Sequence, residues 1–445
     1  MSTPRPSTVG CVALGVVCAM LASCAIYHPK PLPRGSTLLR IAQLRASRRT
    51  FALPGLKAEP LDPAAGLTAV NIMQLAVAAD PLLRAERARL GIARAQLFAA
   101  GLLPDPVLSG GLGKSPTRIG YSIGLMQDVR ALVTLRAARS AARARSRQVD
   151  LQVLWQEWQV AERARVLFIQ ARREQALAQV LRPLRHLLGL LVQREQRELA
   201  RGTVAAARTA AALAAWDAAQ QRWRALELAQ NRTWHGLDAL LALRPGTHLM
   251  LRGTAEVMPL SHATLRAALA ALPDRRPDLL ALRAGYASDQ QQLREAILRQ
   301  YPMLGVGVDY AHSADQGVRT VGFNVQLTLP LFNRNRGGIA IARATRAYLY
   351  RQYQARLDAA INGADQVEHA VRIMHRQLRV LDARAEHLER ARAAADLSYR
   401  RGELTLAGYC AVLGSLDAVR ADVIAVRAGL QQAQAALDML LAQPL

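Results

Sequence analysis

The stretch Tyr301–Phe332, YPMLGVGVDYAHSADQGVRTVGFNVQLTLPLF, decides how the rest of the chain is read. Leu304, Val306, Val308 and Tyr310 fall on one face of an extended segment; Gly305, Gly307, Asp309 and Ala311 fall on the other. After a turn the pattern repeats. Val321, Phe323, Val325, Leu327 and Leu329 alternate with Gly322, Asn324, Gln326 and Thr328. Alternation with period two predicts strands that separate two environments. Each run is about ten residues, the length a tilted strand needs to cross a bilayer. A lone hairpin is marginal in water and cannot close a barrel.

Outside this stretch the chain predicts helices. It has 445 residues, with abundant Ala, Leu and Arg and only 4% aromatics, a composition suited to long helices packed side by side. The formal net charge is +25. The arginines are dispersed along helical patterns rather than massed in one basic run, which argues for solvated helix faces and against a nucleic-acid site.

The N-terminus reads as a leader. Cys11–Leu21 is apolar, too short to span a bilayer as a helix but sufficient for a signal-peptide core. Leu21-Ala22-Ser23-Cys24 follows, and resembles the lipobox of bacterial lipoproteins, in which the cysteine is lipidated on its sulfur and the residue becomes the mature N-terminus. Cys24 is the expected lipidation site, with residues 1–23 as the lipoprotein signal peptide. Ala25 in the next position resembles the outer-membrane sorting signal. Residues 24–66 form a Pro-rich extended segment. The remaining cysteine, Cys410, sits in a helical pattern and is expected to be buried.

The second hairpin has a partner. Pro81 and Pro277 are 196 positions apart, as are Pro106 and Pro302. Beyond the turn the offset is 202, matching Gly120, Tyr121, Ile123 and Leu125 with Gly322, Phe323, Val325 and Leu327. At Arg201-Gly202 and Arg401-Gly402 it is 200. The chain is therefore a duplication. The first repeat is 67–246, with its hairpin at 107–126; 247–260 is a linker; the second repeat is 261–445, with its hairpin at 302–330. In each, the expected plan is helix, helix, hairpin, long helix, long helix. Pro183 and Asp382 are expected near the turns between the long helices, with further breaks at Arg201-Gly202 and Arg401-Gly402. Leu357, Ala360, Ala364, Val367, Val371, Met374, Leu378 and Leu381 step by 3 and 4, a coiled-coil seam.

Four strands at one end of a helical rod leave open edges, which lipid does not tolerate. Three copies would supply twelve strands, an even number in the range of outer-membrane barrels. The expected fold is mainly α with a small β part: a trimeric twelve-stranded outer-membrane β-barrel continued by a periplasmic α-helical barrel.

Several motifs together resemble the TolC-like outer-membrane factors. They are the duplicated hairpins, Arg276-Pro277-Asp278-Leu279-Leu280 opening a helix, Tyr301-Pro302 opening a strand, and Leu329-Pro330-Leu331-Phe332-Asn333-Arg334-Asn335-Arg336-Gly337 closing the hairpin. The Tyr399, Gly402, Leu413 and Leu416-Asp417-Ala418 run adds to them. The closing motif looks most like the heavy-metal efflux, CzcC-like branch. In the first repeat Asp128-Val129-Arg130 replaces the Pro-Leu-Phe turn. The resemblance implies a homotrimeric, lipid-anchored exit duct of a tripartite efflux pump in a Gram-negative outer membrane. It would conduct metal ions or drugs passively and work with a periplasmic membrane-fusion adaptor and an inner-membrane pump. It also implies a periplasmic gate of charged side chains, for which Asp382 and Glu386 are the candidates. A type I secretion duct and a periplasmic coiled-coil structural lipoprotein are the alternatives.

No Walker loop, HExxH or CxxC is present in the sequence, and the G-x-S-x-G spacing of Gly120-Tyr121-Ser122-Ile123-Gly124 falls within the alternating strand pattern rather than at a strand-to-helix elbow, so neither an enzyme nor a cofactor or metal site is expected. His369 and His375 share a helix, but a spacing of six puts them on different faces.

Overall fold

The computed structural model describes residues 27–36, 38, 59, 65–114, 119–255, 262–313 and 317–442. The signal segment and Cys24 lie outside them, as does most of the Pro-rich segment. Residues 1–38 and 39–445 form separate units. Within the first, residues 27–34 take no regular structure.

The second unit is mainly helical with one small antiparallel sheet. Its elements are α1 (Ala69–Ala79), α2 (Pro81–Ala99), β1 (Val107–Lys114), β2 (Ile119–Asp128), α3 (Arg130–Ala200), α4 (Ala206–Leu240), α5 (His262–Arg275), α6 (Pro277–Leu298), β3 (Met303–His312), β4 (Arg319–Thr328), α7 (Arg336–Arg400) and α8 (Leu406–Leu440). Local chemistry sets the starts. Thr68 and Asn71 form a capping box on α1. Asp80 caps α2, with Pro81 in its first turn.

The two long helices differ from the sequence expectation. α3 is one helix of 71 residues and α7 one of 65, about 105 and 98 Å at 1.5 Å per residue. Pro183 lies inside α3 and does not end it. Its missing N–H leaves the carbonyl of Gln179 without a helical donor, but both residues are exposed, so water can take that carbonyl. Leu184, Leu188 and Leu191 are meanwhile buried in a cluster that holds the helix on course. Asp382 likewise sits within α7. The turns fall instead at Arg201–Ala205 and Arg401–Thr405.

The helices form one layer. α3 packs on α2 and α4 along one side and on α6 and α8 along the other, and α7 lines the far side of α6 and α8. Two positions in the layer are therefore filled by pairs of half-length helices, α2 with α4 and α6 with α8. The other two are filled by the full-length α3 and α7. The sheet keeps the same order, β1-β2-β3-β4, each strand joined in sequence to one helix of the upper layer.

The half-length helices meet at two junctions. In the first repeat, α1 and the end of α4 enclose the main core, with Ile72, Leu237, Leu241 and Leu243 against Trp155, Trp158 and Phe168 of α3. In the second, an ion knot does the work. Arg276 is 5% exposed. Its guanidinium donates to both oxygens of Asp278 at 2.7 and 3.2 Å and to the Leu440 carbonyl at 3.1 Å. It also lies 4.9 Å from the Trp155 ring centroid. Arg356 of α7 donates to Asp278 at 2.7 Å. The Arg-Pro-Asp motif thus ties the start of α6 to the end of α8 and to both full-length helices.

Loss of this guanidinium leaves a buried carboxylate with one remaining cationic partner. Arg276→Ala is expected to cost about 3 kcal/mol, and Arg276→Lys most of that, since an ammonium cannot make the bidentate contact. Thermal unfolding followed by circular dichroism measures both.

Candidate functional site: the duct wall and its two ends

The sheet register sorts the side chains by face. Leu125 pairs with Val308, and Val308 with Phe323; Ile123 pairs with Tyr310, and Tyr310 with Val321. Directly paired residues share a face, so these form one continuous apolar surface. Leu108 and Leu112 extend it across β1. The other face carries Ser109, Ser122, Gly124, Asp309, Gly307, Asn324 and Gln326. The apolar side chains are largely uncovered, Phe323 at 73% exposure. Pairing ends at β1 and β4, which are both free edges of the sheet.

The two strand-to-helix junctions are built differently. Asp128 ends β2, and its carboxylate accepts from the Arg130 N–H at 2.9 Å, so α3 starts without an intervening turn. After β4, Arg334 and Asn335 both take positive φ, 43° and 51°. Asn tolerates that region, and its side-chain amide donates to the Ala296 carbonyl at the end of α6 at 2.7 Å.

The helical layer has two distinct faces. A cavity of about 540 Å³ is lined by all four upper helices, among them Gln96 of α2, Arg145 of α3, Gln292 of α6 and Thr345 of α7. A second, about 620 Å³, is lined by Glu86, Gln152, Leu282 and Gln352 of the same four. The layer is therefore concave on that side, which mixes small residues with Gln96, Arg145, Asp289, Gln292 and Gln352. A further cavity, with Arg143, Arg147 and Arg283, involves α3, α6 and the end of α5 only. Its α3 residues differ from those lining the concave side.

The far ends of the long helices close alike in both repeats. Gly202 and Gly402 have φ of +70° and +78°. The Thr203 N–H donates to the Glu198 carbonyl at 3.0 Å, and the Glu403 N–H to the Ser398 carbonyl at 2.9 Å. Both are left-handed C-terminal caps, for which glycine is the natural residue. Tyr399 and Tyr409 stack across the second turn at 5.0 Å.

Asp382 and Glu386 stand 18 and 14 residues before the end of α7, about 27 and 21 Å along it. They are in the shaft, not at the turn. Asp382 accepts from Arg427 of α8 at 3.0 Å; Glu386 faces Arg390 of its own helix at 3.9 Å. Cys410 is buried, as expected, and burial raises its thiol pKa. Among the described residues no three His, Cys, Asp or Glu side chains converge as a metal-holding group. No described helix is long and apolar enough to cross a membrane.

Two buried acids, Asp417 and Glu162, carry large pKa shifts that the sequence reading did not foresee. Asp417 of α8 lies near Arg420, which is paired with Glu389 of α7; burial raises its pKa to about 6, against the pull of Arg420 and Arg392. Glu162 of α3 is 7% exposed, and neither carboxylate oxygen has a partner in the structure. Burial is the main cause that raises it to about 7, with Arg165 opposing and Asp438 reinforcing. Both sit among apolar and small residues at helical spacing, which no local motif distinguishes from a solvated charge.

A two-faced sheet with free edges is thus continued by a helical layer that is concave on one side. Residues 268–443 match the family described as outer membrane efflux protein. Several solved outer-membrane channels share the fold. The Campylobacter jejuni CmeC channel is 14% identical, with 95% of each chain covered and a TM-score of 0.71. OprN is 14% identical over 94% of this chain and 99% of that one, also at 0.71. CusC is 13% identical over 94% and 99%, at 0.69. No curated protein matches the sequence. Residues 268–443 are thus similar to the outer membrane efflux protein family, and the whole chain shares the fold of these solved outer-membrane channels.

Glu162 gives a pH prediction. Its folded pKa lies above the unfolded value, so the folded state binds the proton more tightly and stability falls as pH rises from about 4.5 through 7. Glu162→Gln keeps the shape without the charge. It is expected to be more stable than wild type at pH 8 by on the order of 2 kcal/mol and to match it near pH 4.5. Melting temperatures across that range check the sign.

Proposed function

We propose that the protein is one third of a homotrimeric exit duct, conducting metal ions or drugs passively from the periplasm to the exterior. The observation that carries this reading is the pair of unfinished edges. β1 and β4 end the sheet, and the helical layer ends correspondingly at α2/α4 and at α7. α7 buries only Ile339, Ala360, Ala364 and Ala395 in its 65 residues, whereas α3 buries nineteen in its 71. Ile361, Ile373 and Val380 of α7 stay exposed. A free edge at each side fits head-to-tail closure by further copies. Three supply twelve strands, and the family resemblance supports that number. The apolar sheet face then meets lipid, while Asn324, Gln326 and Asp309 line water. A periplasmic scaffold would have no use for that apolar face.

In this reading the turns at Arg201–Ala205 and Arg401–Thr405 form the periplasmic tip that meets a membrane-fusion adaptor and, through it, an inner-membrane pump. Cys24 is lipidated and anchors the mature chain. Asp382 and Glu386 are gate candidates in the shaft, the Asp382–Arg427 pair being a contact that opening would break.

The faces can be tested against each other. Arg at the centre of the apolar face (Val308→Arg or Phe323→Arg) is expected to cost about 2–4 kcal/mol per copy in lipid. It should abolish the detergent-resistant trimer in outer-membrane extracts. Asn324→Arg, on the opposite face, should leave the trimer intact and shift ion selectivity in planar bilayers. Equal tolerance of all three, or a soluble monomer from wild type, overturns the duct. Cys24→Ser should lose incorporated palmitate.

A further inference from the structure

The net charge of +25 is not spread evenly. Toward the far ends arginines are paired, as in Arg194–Glu198, Arg208–Glu195, Arg372–Glu368, Arg400–Asp396 and Arg427–Asp382. Beside the sheet the end of α6 has one such pair, Arg299–Glu295, but the start of α3 has none among the described residues. Residues 130–149, the first twenty of α3, contain six arginines and no Asp or Glu. Four of the six, Arg136, Arg139, Arg143 and Arg147, are spaced 3, 4 and 4 apart. At 100° per residue they occupy a stripe about 80° wide. All four are exposed, and among the described residues none has an acidic partner.

The stripe faces away from the concave side. Arg143 and Arg147 line the cavity on the opposite side of the α3–α6 pair, whereas Arg145 lines the concave one. Nor do the layer's edges reach it. α3 is flanked on both sides within its own chain, so closing the edges α2/α4 and α7 with further copies leaves its outer face uncovered.

Its height is set by the sheet. α3 begins two residues after β2 ends. Exposed Leu132 and Val133 occupy its first turn. Arg136 and Arg139 then stand about 9 and 14 Å along the helix, Arg143 about 20 Å and Arg147 about 26 Å. A headgroup layer is about 5–7 Å thick on each side of the hydrocarbon, and charge reaches about 8–10 Å beyond it. Counted from Val133, the last apolar residue of that turn, Arg136 falls about 4.5 Å on, within that layer, Arg139 about 9 Å on, at its outer limit, Arg143 about 15 Å on, within reach of its charge, and Arg147 about 21 Å on, past it.

We propose that Arg136 and Arg139, assisted by Arg143, bind the phosphodiester headgroups of anionic phospholipids in the periplasmic leaflet and set the depth of the duct in the membrane. The inference rests on the duct reading above. The guanidinium fork suits phosphate oxygens, and its stem can lie along the apolar border.

The test uses the full-length protein in mixed micelles of equal phosphatidylglycerol and phosphatidylcholine, with retained lipid identified by mass spectrometry. Wild type is expected to enrich phosphatidylglycerol. Each near-surface cation on an anionic membrane contributes about fivefold. Arg136→Gln with Arg139→Gln should therefore cut the enrichment roughly 25-fold, and the corresponding double Lys variant should restore most of it. Arg147→Gln and Arg145→Gln should leave it within about twofold. An unchanged ratio in the double variant, or an equal loss with Arg147→Gln or Arg145→Gln, overturns the proposal. So does full displacement of phosphatidylglycerol by millimolar inorganic phosphate, which would mark a free-anion site. An intact trimer retaining both lipids equally overturns this inference alone; a chain that forms no trimer and retains neither overturns the duct reading with it.

Discussion

The buried Arg276 guanidinium is where the architecture is joined. Two half-length helices must meet end to end inside a layer whose other members run unbroken for about 100 Å. The end of α8 exposes carbonyls, and the start of α6 needs its carboxylate held. Arg276 answers both, taking the Leu440 carbonyl and Asp278 together. Arg356 from α7 and Trp155 from α3 complete the enclosure, so each helix around the joint contributes one contact. The first repeat joins α4 to α1 and α2 differently, through an apolar core around Trp158 and Phe168. Its counterpart of Arg276 is Asp80, a helix cap.

From these joints the sheet follows. Because strands and helices keep one order across the layer, each strand rises from its own helix and no connection crosses another. The apolar and polar faces of the sheet are then aligned across all four strands by register alone, since paired residues share a side. The same ordering leaves the layer unfinished at both sides. The exposed apolar residues of α7 and the free strands β1 and β4 are two expressions of one open boundary.

Much of this was legible before folding was considered. The alternation in Val306–Tyr310 and Val321–Leu327 identified strands and their faces, because a side chain in a strand has only two directions. The offsets between repeats located the first hairpin even where glycines blurred its pattern. The matching of Arg201-Gly202 to Arg401-Gly402 marked a break in each half, and these breaks are the turns of the structure. What misled was Pro183. Locally a proline ends a helix more often than not, yet here its ring and the carbonyl it orphans both face water, and neighbouring leucines hold the helix straight. With the turn placed too early, Asp382 was put at the tip when it lies about 27 Å up the shaft. Glu162 and Asp417 were invisible for a related reason. Whether a carboxylate on a long helix is solvated or enclosed depends on which helices flank it.

The sequence by itself determined what depends on neighbours a few residues away: two repeats, four strands with one oily and one polar face, caps that require glycine, and an arginine-rich, acid-free start to α3. Only the tertiary structure decided what depends on distant segments. It showed which helices run through and which are stacked in halves, that Arg276 and Asp278 are buried at the joint, and that Arg145 and its neighbours Arg143 and Arg147 look to opposite sides of the wall. Periodicity records the direction of a side chain relative to its own helix; packing alone says what lies in that direction.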